Sequence, residues 1–183
     1  MDTNIEHWLK LLNTELGGTS DRSCVITAAS IIDHLLQELL RAKLVPNSSS
    51  NDSLFDGANA PMGTFSARID LAYRIGLISG QFARDLHLIR RMRNDLAHSI
   101  VGRTFEDPGV ADQVLHLLKS LAIVDRCPFM LTPPYDGVRG KFTVCIIVIV
   151  SHLDAYLRIT PAIPALVSDL VYTTTFNESK HDV

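Results

Sequence analysis

The stretch Phe142-Thr-Val-Cys-Ile-Ile-Val-Ile-Val150 decides the fold class of this chain. Its β-branched composition is typical of a buried strand. However, the apolar pattern continues directly into His152-Leu-Asp-Ala-Tyr-Leu157, and the sequence offers no second strand to pair with it. We therefore predict a helix over residues 139–157 and an all-α fold. The apolar run itself, at about nine residues, is too short to cross a bilayer as a helix.

Further helices are predicted on both sides of this stretch, from apolar residues at helical spacing and from capping residues at their starts. They cover residues 4–17, 21–44, 64–73, 79–98 and 107–125, with a last short helix over 161–172. Ser20 or Asp21, Thr64 or Ser66, Ser79, and Asp107 followed by Pro108 are the expected N-caps. The second helix carries a wide apolar stripe, which places it at the centre of a bundle of about six to seven helices.

Two long loops interrupt the predicted bundle, at residues 46–63 and 128–137. Leu54 and Phe55 are expected to anchor the first loop to the body, whereas residues 48–50 are expected to be disordered. The segment 101–107 is short and extended in this interpretation. Residues 1–183 form one domain, with a core over about 20–172 and a tail over 173–183.

Composition limits the function classes. The chain has 183 residues, a net charge of −3 and a pI of about 6.1, whereas a DNA-binding domain usually carries a basic excess. Cys24, Cys127 and Cys145 are too widely spaced for a zinc motif or a disulfide framework, which favours a reducing compartment. The N-terminus lacks the apolar region of a signal peptide. We expect a cytoplasmic protein without a membrane association, a metal or a cofactor.

The helix over 79–98 ends in the polar cluster Arg93-Asn94-Asp95-Leu96-Ala97-His98. At 100° per residue, Arg93 falls within the apolar arc, between the directions of Leu86 and Ile89. An arginine is not buried unpaired, so we expect Arg93 to meet a carboxylate, the carbonyls of a helix end or a partner subunit. The candidate carboxylates are Asp33, Glu38, Asp70 and Asp154.

Two roles are open for this cluster. In the structural role, Arg93 tethers the bundle and His98 favours the dipole at the helix C-terminus. In the functional role, Arg93 holds a phosphate, His98 acts as general acid or base, and Asn94 orients one of them. Arg90 and Arg91 lie beside the cluster and are candidate phosphate-binding residues. An Arg-x4-His spacing is common, which favours the structural role.

The segment Gly57-Ala-Asn-Ala-Pro-Met-Gly-Thr-Phe-Ser-Ala-Arg-Ile-Asp-Leu-Ala-Tyr-Arg-Ile-Gly-Leu-Ile78, followed by 85–98, resembles the MtlR family of mannitol operon repressors. The helix over 22–40 fits as well, so the resemblance covers about residues 20–125. It implies an all-helical fold and transcriptional repression through a protein partner, in a family without a recognised DNA-binding motif. Arg68 lies in the most family-like part, and we expect a carboxylate or a carbonyl to hold its rigid guanidinium.

Arg93-Asn94-x-x-x-His98 is also similar to the signature of HEPN domains, helical bundles that include metal-independent ribonucleases. In those enzymes two such motifs meet at a dimer cleft, which implies that Arg93 and His98 are catalytic and Asn94 supports them. Our first prediction is a dimeric MtlR-like regulator that acts through protein contacts, binds DNA weakly or not at all, and uses Arg68, Arg90 and Arg91 for binding. The alternative is a HEPN-type ribonuclease with RNA as its substrate.

Overall fold

The computed structural model of the protein describes residues 4–47, 49, 51–99 and 102–165, without the side chains of residues 4–7 and 9. Over these residues the chain forms seven α-helices and one 3-10 turn, and no strand. The helices are α1 (Asn4–Leu16), α2 (Asp21–Lys43), α3 (Phe65–Arg74), α4 (Gly80–His98), α5 (Pro108–Ser120), α6 (Ile123–Arg126) and α7 (Val138–Ile159), and the 3-10 turn (Pro128–Leu131) precedes α7. The predicted all-α fold is confirmed.

Helices α2 and α7 form the centre of the bundle. They pack against each other, and α7 also contacts α1 and α5 while α2 also contacts α3 and α4. The β-branched stretch from Phe142 to Ile147 is buried throughout because α7 has neighbours on several sides. By length and composition α2 and α7 could each span a membrane, and half of the most apolar part of each is buried in the bundle. Core helices of globular proteins have the same character.

All four helices begin where the predicted caps place them, and three of the four caps also form a capping hydrogen bond. The side-chain oxygens of Ser20, Thr64 and Ser79 each accept a hydrogen bond from a backbone N–H in the first turn of α2, α3 and α4. Asp107 precedes α5 but makes no such bond. Its Oδ2 atom instead accepts from the backbone N–H of Thr104, at 2.7 Å.

One predicted helix end and one predicted helix start are wrong. The helix predicted to reach Asp125 ends at Ser120, because Ala122 has a left-handed backbone (φ 52°) and the chain restarts as the four-residue helix α6. The last short helix was predicted over 161–172, but residues 161–165 have no regular structure. The rest of that segment and the predicted tail lie outside the described residues.

The loop over 46–63 is anchored as predicted. Phe55 is 5% exposed, and the guanidinium carbon of Arg41 lies 4.6 Å from its ring centroid. Arg41 also forms ion pairs with Asp52 at 3.2 Å and Asp56 at 2.6 Å, so one side chain of α2 holds both ends of the turn around Phe55. Ser48 and Ser50, where disorder was predicted, lie outside the described residues.

A buried carboxylate joins α4 to α5. Asp85 is 2% exposed, and its two oxygens accept hydrogen bonds from the Ser120 hydroxyl at 2.8 Å and from the Gln81 side-chain amide at 3.2 Å. Burial raises the pKa of Asp85 above its usual value of 3.8, and the two hydrogen bonds oppose that rise only in part. This link holds the N-terminal half of α4, where Asp85 lies, against α5. The C-terminal half of α4 does not take part in it.

Candidate functional site

The predicted site residues do not form one site, because α4 distributes them over three depressions. We name these the α2–α4 cleft, the α4–α5 groove and the helix-end depression. The cleft has a volume of about 350 Å³ and contains Arg90, Arg93 and Asn94. The groove has a volume of about 540 Å³ and contains Arg91. The depression contains His98 and a second face of Asn94.

The α2–α4 cleft is built from three segments of the chain. Its lining consists of Ala29, Ser30 and Asp33 from α2, residues 63–66 at the start of α3, and Arg90, Arg93 and Asn94 from α4. Arg90 and Arg93 are one helical turn apart and therefore lie on the same face of α4. Small residues at positions 29 and 30 leave room opposite the two arginines.

Arg93 is exposed, which corrects the prediction that it is buried and paired. Its Nη1 atom donates to the neighbouring Asn94 Oδ1 at 2.9 Å, and it forms no ion pair with a described carboxylate. Leu86 and Ile89 on the same arc are fully buried. The difference arises because α3, at ten residues, is much shorter than α4. Its first turn lies at the edge of the cleft, so none of the described helices covers the arc at residue 93.

Arg68 is held by a carboxylate, as predicted. Its Nη1 atom lies 2.6 Å from Asp33 Oδ1, and its side chain is 10% exposed. This pair links α3 to α2 behind the cleft, so Arg68 supports the cleft wall and does not line it. Asp33, one of the four acids expected as possible partners of Arg93, is therefore already paired with Arg68.

Arg91 lies on another face of α4, in the groove toward α5. The groove also contains Arg84, His87, Asp112 and His116. His87 Nε2 lies 3.1 Å from Asp70 Oδ1, whereas its Nδ1 atom is buried without a hydrogen-bond partner. Arg91 is thus separated from Arg90, although the two are neighbours in the sequence.

His98 is exposed at the C-terminal end of α4, beside Asp95, Ser99 and Arg103. Arg93 and His98 open onto different depressions of one chain, and Asn94 borders both. The groups whose pKa is raised by burial are Asp85, Cys24 and Cys145, and they lie in the core and line none of the three depressions. Within the described ranges, no group of three His, Cys, Asp or Glu residues could hold a metal ion.

Sequence reasoning missed the wall that faces the arginines. Thr64 and Ser66 were considered only as helix caps, and Ser30 was not singled out. The available signal was weak: Ser30 and Asp33 are polar residues three apart on a helix with a wide apolar stripe, which indicates a face that does not enter the core.

No family model matches the chain, and no curated protein matches it. Among solved structures, a chain of the X-ray structure of the MtlR–HPr complex from Escherichia coli is similar to it, with a TM-score of 0.60 and 22% sequence identity. The likeness covers 81% of this chain and 97% of that chain. This chain has an MtlR-like fold. The predicted resemblance is therefore confirmed at the level of the fold, and the three depressions belong to a bundle of the MtlR type.

Proposed function

We propose that this protein is a cytoplasmic, homodimeric transcriptional regulator of carbohydrate metabolism that acts through a protein partner. The observation that carries the proposal is the MtlR-like fold, which extends over nearly the whole of a chain from the MtlR–HPr complex. HPr is a protein partner in that complex, and an HPr-type protein is the partner we propose here.

The charge distribution supports a protein partner over direct DNA binding. Affinity for DNA depends largely on neutralisation of phosphates by surplus cations, and the net charge of this chain is −3. The arginines of α4 are divided between the α2–α4 cleft and the α4–α5 groove, and each of the three depressions also contains an aspartate. These aspartates are Asp33, Asp112 and Asp95. The cations of α4 therefore lie in separate depressions and do not form the continuous basic stripe that binds a nucleic-acid backbone.

The test is calorimetric titration of the purified full chain with the HPr protein of the same organism, at physiological salt. We expect saturable binding, and an unrelated acidic protein of similar size serves as the control. Gel-shift assays with the DNA upstream of neighbouring operons should show no complex with the chain alone. Absence of HPr binding would overturn the proposal, as would tight and specific binding of one operator by the chain alone.

The same purified protein tests the remaining predictions. Light scattering after size exclusion measures whether it is a dimer. Incubation with RNA in the presence of a chelator tests the HEPN-type alternative. Metal-independent cleavage by the wild type that is lost in His98→Ala would displace the regulator proposal, whereas absence of cleavage agrees with it.

A further inference from the structure

We infer that the α2–α4 cleft is a binding site for a small phosphomonoester, whose phosphate lies between Arg90 and Arg93 of α4 and the first turn of α3. The inference concerns a ligand of this chain itself and does not depend on HPr. It rests on the charge, the unused donors and the size of the cleft.

The cleft carries uncompensated positive charge. Neither Arg90 nor Arg93 forms an ion pair with a carboxylate of the described residues. The acid that lines the cleft is Asp33, and the guanidinium of Arg68 already engages it at 2.6 Å. The cleft thus combines one internally neutralised ion pair with two further guanidinium groups. An anion is the ligand that this balance favours.

The arginines also have hydrogen-bond donors to spare. The Nε atom of Arg90 is buried and has no hydrogen-bond partner among the described residues, which is an unfavourable state for a charged donor. Arg93 uses Nη1 for Asn94 Oδ1 at 2.9 Å, and a guanidinium has five donor hydrogens in a planar fork. Such forks match the oxygens of a phosphate in bidentate geometry.

The opposite wall contributes further donors. Within the first turn of α3, Thr64 accepts from the N–H groups of Ala67 at 3.2 Å and Arg68 at 3.1 Å. The N–H groups of Phe65 and Ser66 come earlier in the helix than any intrahelical acceptor can serve. They border the cleft, where the positive end of the helix dipole adds to the field of the two arginines.

The size of the cleft selects the ligand class. Its volume of about 350 Å³ lies near the lower end of the range for small-molecule sites. That space exceeds what a phosphate ion fills, so an organic group of a few carbon atoms accompanies the phosphate. The Ser30 hydroxyl donates to the Ile26 carbonyl at 2.9 Å and can still accept a hydrogen bond from that part, and the amide nitrogen of Asn94 can donate one.

The α4–α5 groove fits an anion less well, although it is larger and also contains two arginines. Arg84 Nη2 is already bonded to Gln81 Oε1 at 2.6 Å. Asp112 lies in the groove and forms no ion pair with a described cation, so it repels a phosphate there. In the α2–α4 cleft, by contrast, the lining acid is Asp33, and Asp33 is already paired with Arg68.

The experiment is calorimetric titration of the full-length protein at constant ionic strength, with thermal unfolding as a second readout. The probes are glycerol 3-phosphate, inorganic phosphate and glycerol. We expect glycerol 3-phosphate to bind more tightly than inorganic phosphate, glycerol not to bind, and the bound ligand to raise the Tm. Arg93→Gln should weaken glycerol 3-phosphate binding by about tenfold or more, since a charge-assisted hydrogen bond is lost.

Two further variants distinguish a specific site from general charge and from misfolding. Ser66→Asp places a carboxylate at the cleft and should abolish binding, while an acid in the first turn of α3 favours the helix, so that the fold is retained. Arg126→Gln removes the same charge from α6, outside the cleft, and should change the affinity by less than about twofold. No binding of glycerol 3-phosphate by the wild type would overturn the inference. Equal weakening by Arg126→Gln, or equal affinity for inorganic phosphate, would overturn it as well.

Discussion

At the scale of single residues, Arg68 and Arg93 show that an arginine on an apolar face can be either buried in an ion pair or exposed to solvent. Arg68 is 8% exposed and is paired with Asp33, which lies on a neighbouring helix. Arg93 is exposed and donates a hydrogen bond to the neutral side chain of Asn94, with no ion pair to a carboxylate of the described residues. Both are arginines on the apolar side of a helix. Their different exposure therefore depends on which neighbouring helix lies opposite each of them.

Arg68→Ala should destabilise the fold by about 2–3 kcal/mol, because it leaves the half-buried Asp33 carboxylate without its cation. Urea unfolding at neutral pH measures the change. The double variant Arg68→Ala with Asp33→Ala should recover part of the loss, as expected when one partner of a pair was left unsatisfied. Additive losses in the double variant would show that the two side chains do not interact.

Arg93→Ala should change the free energy of unfolding by less than about 0.5 kcal/mol, because the side chain is exposed and has no ionic partner within the part of the chain that the structure describes. If Arg93 were buried and paired in the apolar arc, as the sequence predicted, the loss of stability would be much larger. Urea unfolding beside Arg68→Ala gives a direct comparison of the two arginines. A loss as large as that of Arg68→Ala would mean that Arg93 is paired in solution, for example across a dimer contact.

At the scale of elements, the contact of α4 with α5 depends on Asp85, whose carboxyl is buried between Ser120 and Gln81. Because burial raises the pKa of Asp85, the fold binds its proton more tightly than the unfolded chain does. The stabilising contribution of this proton is complete below the unfolded value of 3.8 and is lost as the pH rises through the raised pKa. At neutral pH the buried charge therefore acts against folding.

Asp85→Asn removes this titration and retains the shape of the side chain. The free energy of unfolding of the wild type, minus that of the variant, should fall as the pH rises from about 4 to 7. Urea unfolding of both proteins over this range measures the difference, in which the other titrating groups cancel. Ser120→Ala is a useful control, since it removes one hydrogen bond and keeps the carboxyl. A difference that is independent of pH would contradict the raised pKa.

At the scale of the whole molecule, the cysteines report on the integrity of the bundle. Cys24 and Cys145 lie on the two central helices and are fully buried, whereas Cys127 is half-buried before the 3-10 turn. Burial raises the pKa of Cys24 to about 11 and that of Cys145 to about 12. The thiolate is the reactive form. Both central thiols are therefore protected twice, because a reagent cannot reach them and because they remain protonated at neutral pH.

In the native protein at pH 8, Cys127 should react with Ellman's reagent, and the other two thiols should react only after addition of denaturant. The released thionitrobenzoate, measured by absorbance, counts the reactive thiols in each state. Cys127→Ser should remove the native reaction and leave the denatured one. Rapid modification of Cys24 or Cys145 in the native protein would mean that the central helices separate readily.

The sequence by itself determined which segments are helices. The spacing of apolar residues and the caps at Ser20, Thr64 and Ser79 act over a few residues, so the helices can be predicted from them without knowledge of the fold. The stretch from Phe142 resembles a strand by composition, but its continuation as a helical pattern and the absence of a partner strand decided its form. The pairing of Arg68 was also predicted, although its partner was not.

Tertiary structure alone decided the candidate site. The arc of α4 that contains Arg93 is open because α3 is short and begins at the edge of the cleft. The left-handed turn at Ala122, which ends α5 early, could not be predicted either, because no glycine or proline marks it in the sequence. Arg90 and Arg93 meet the start of α3 and Ser30 of α2 only through the packing of segments that are distant in the chain. Local patterns fix helices, whereas exposure and clustering depend on where neighbouring helices begin and end.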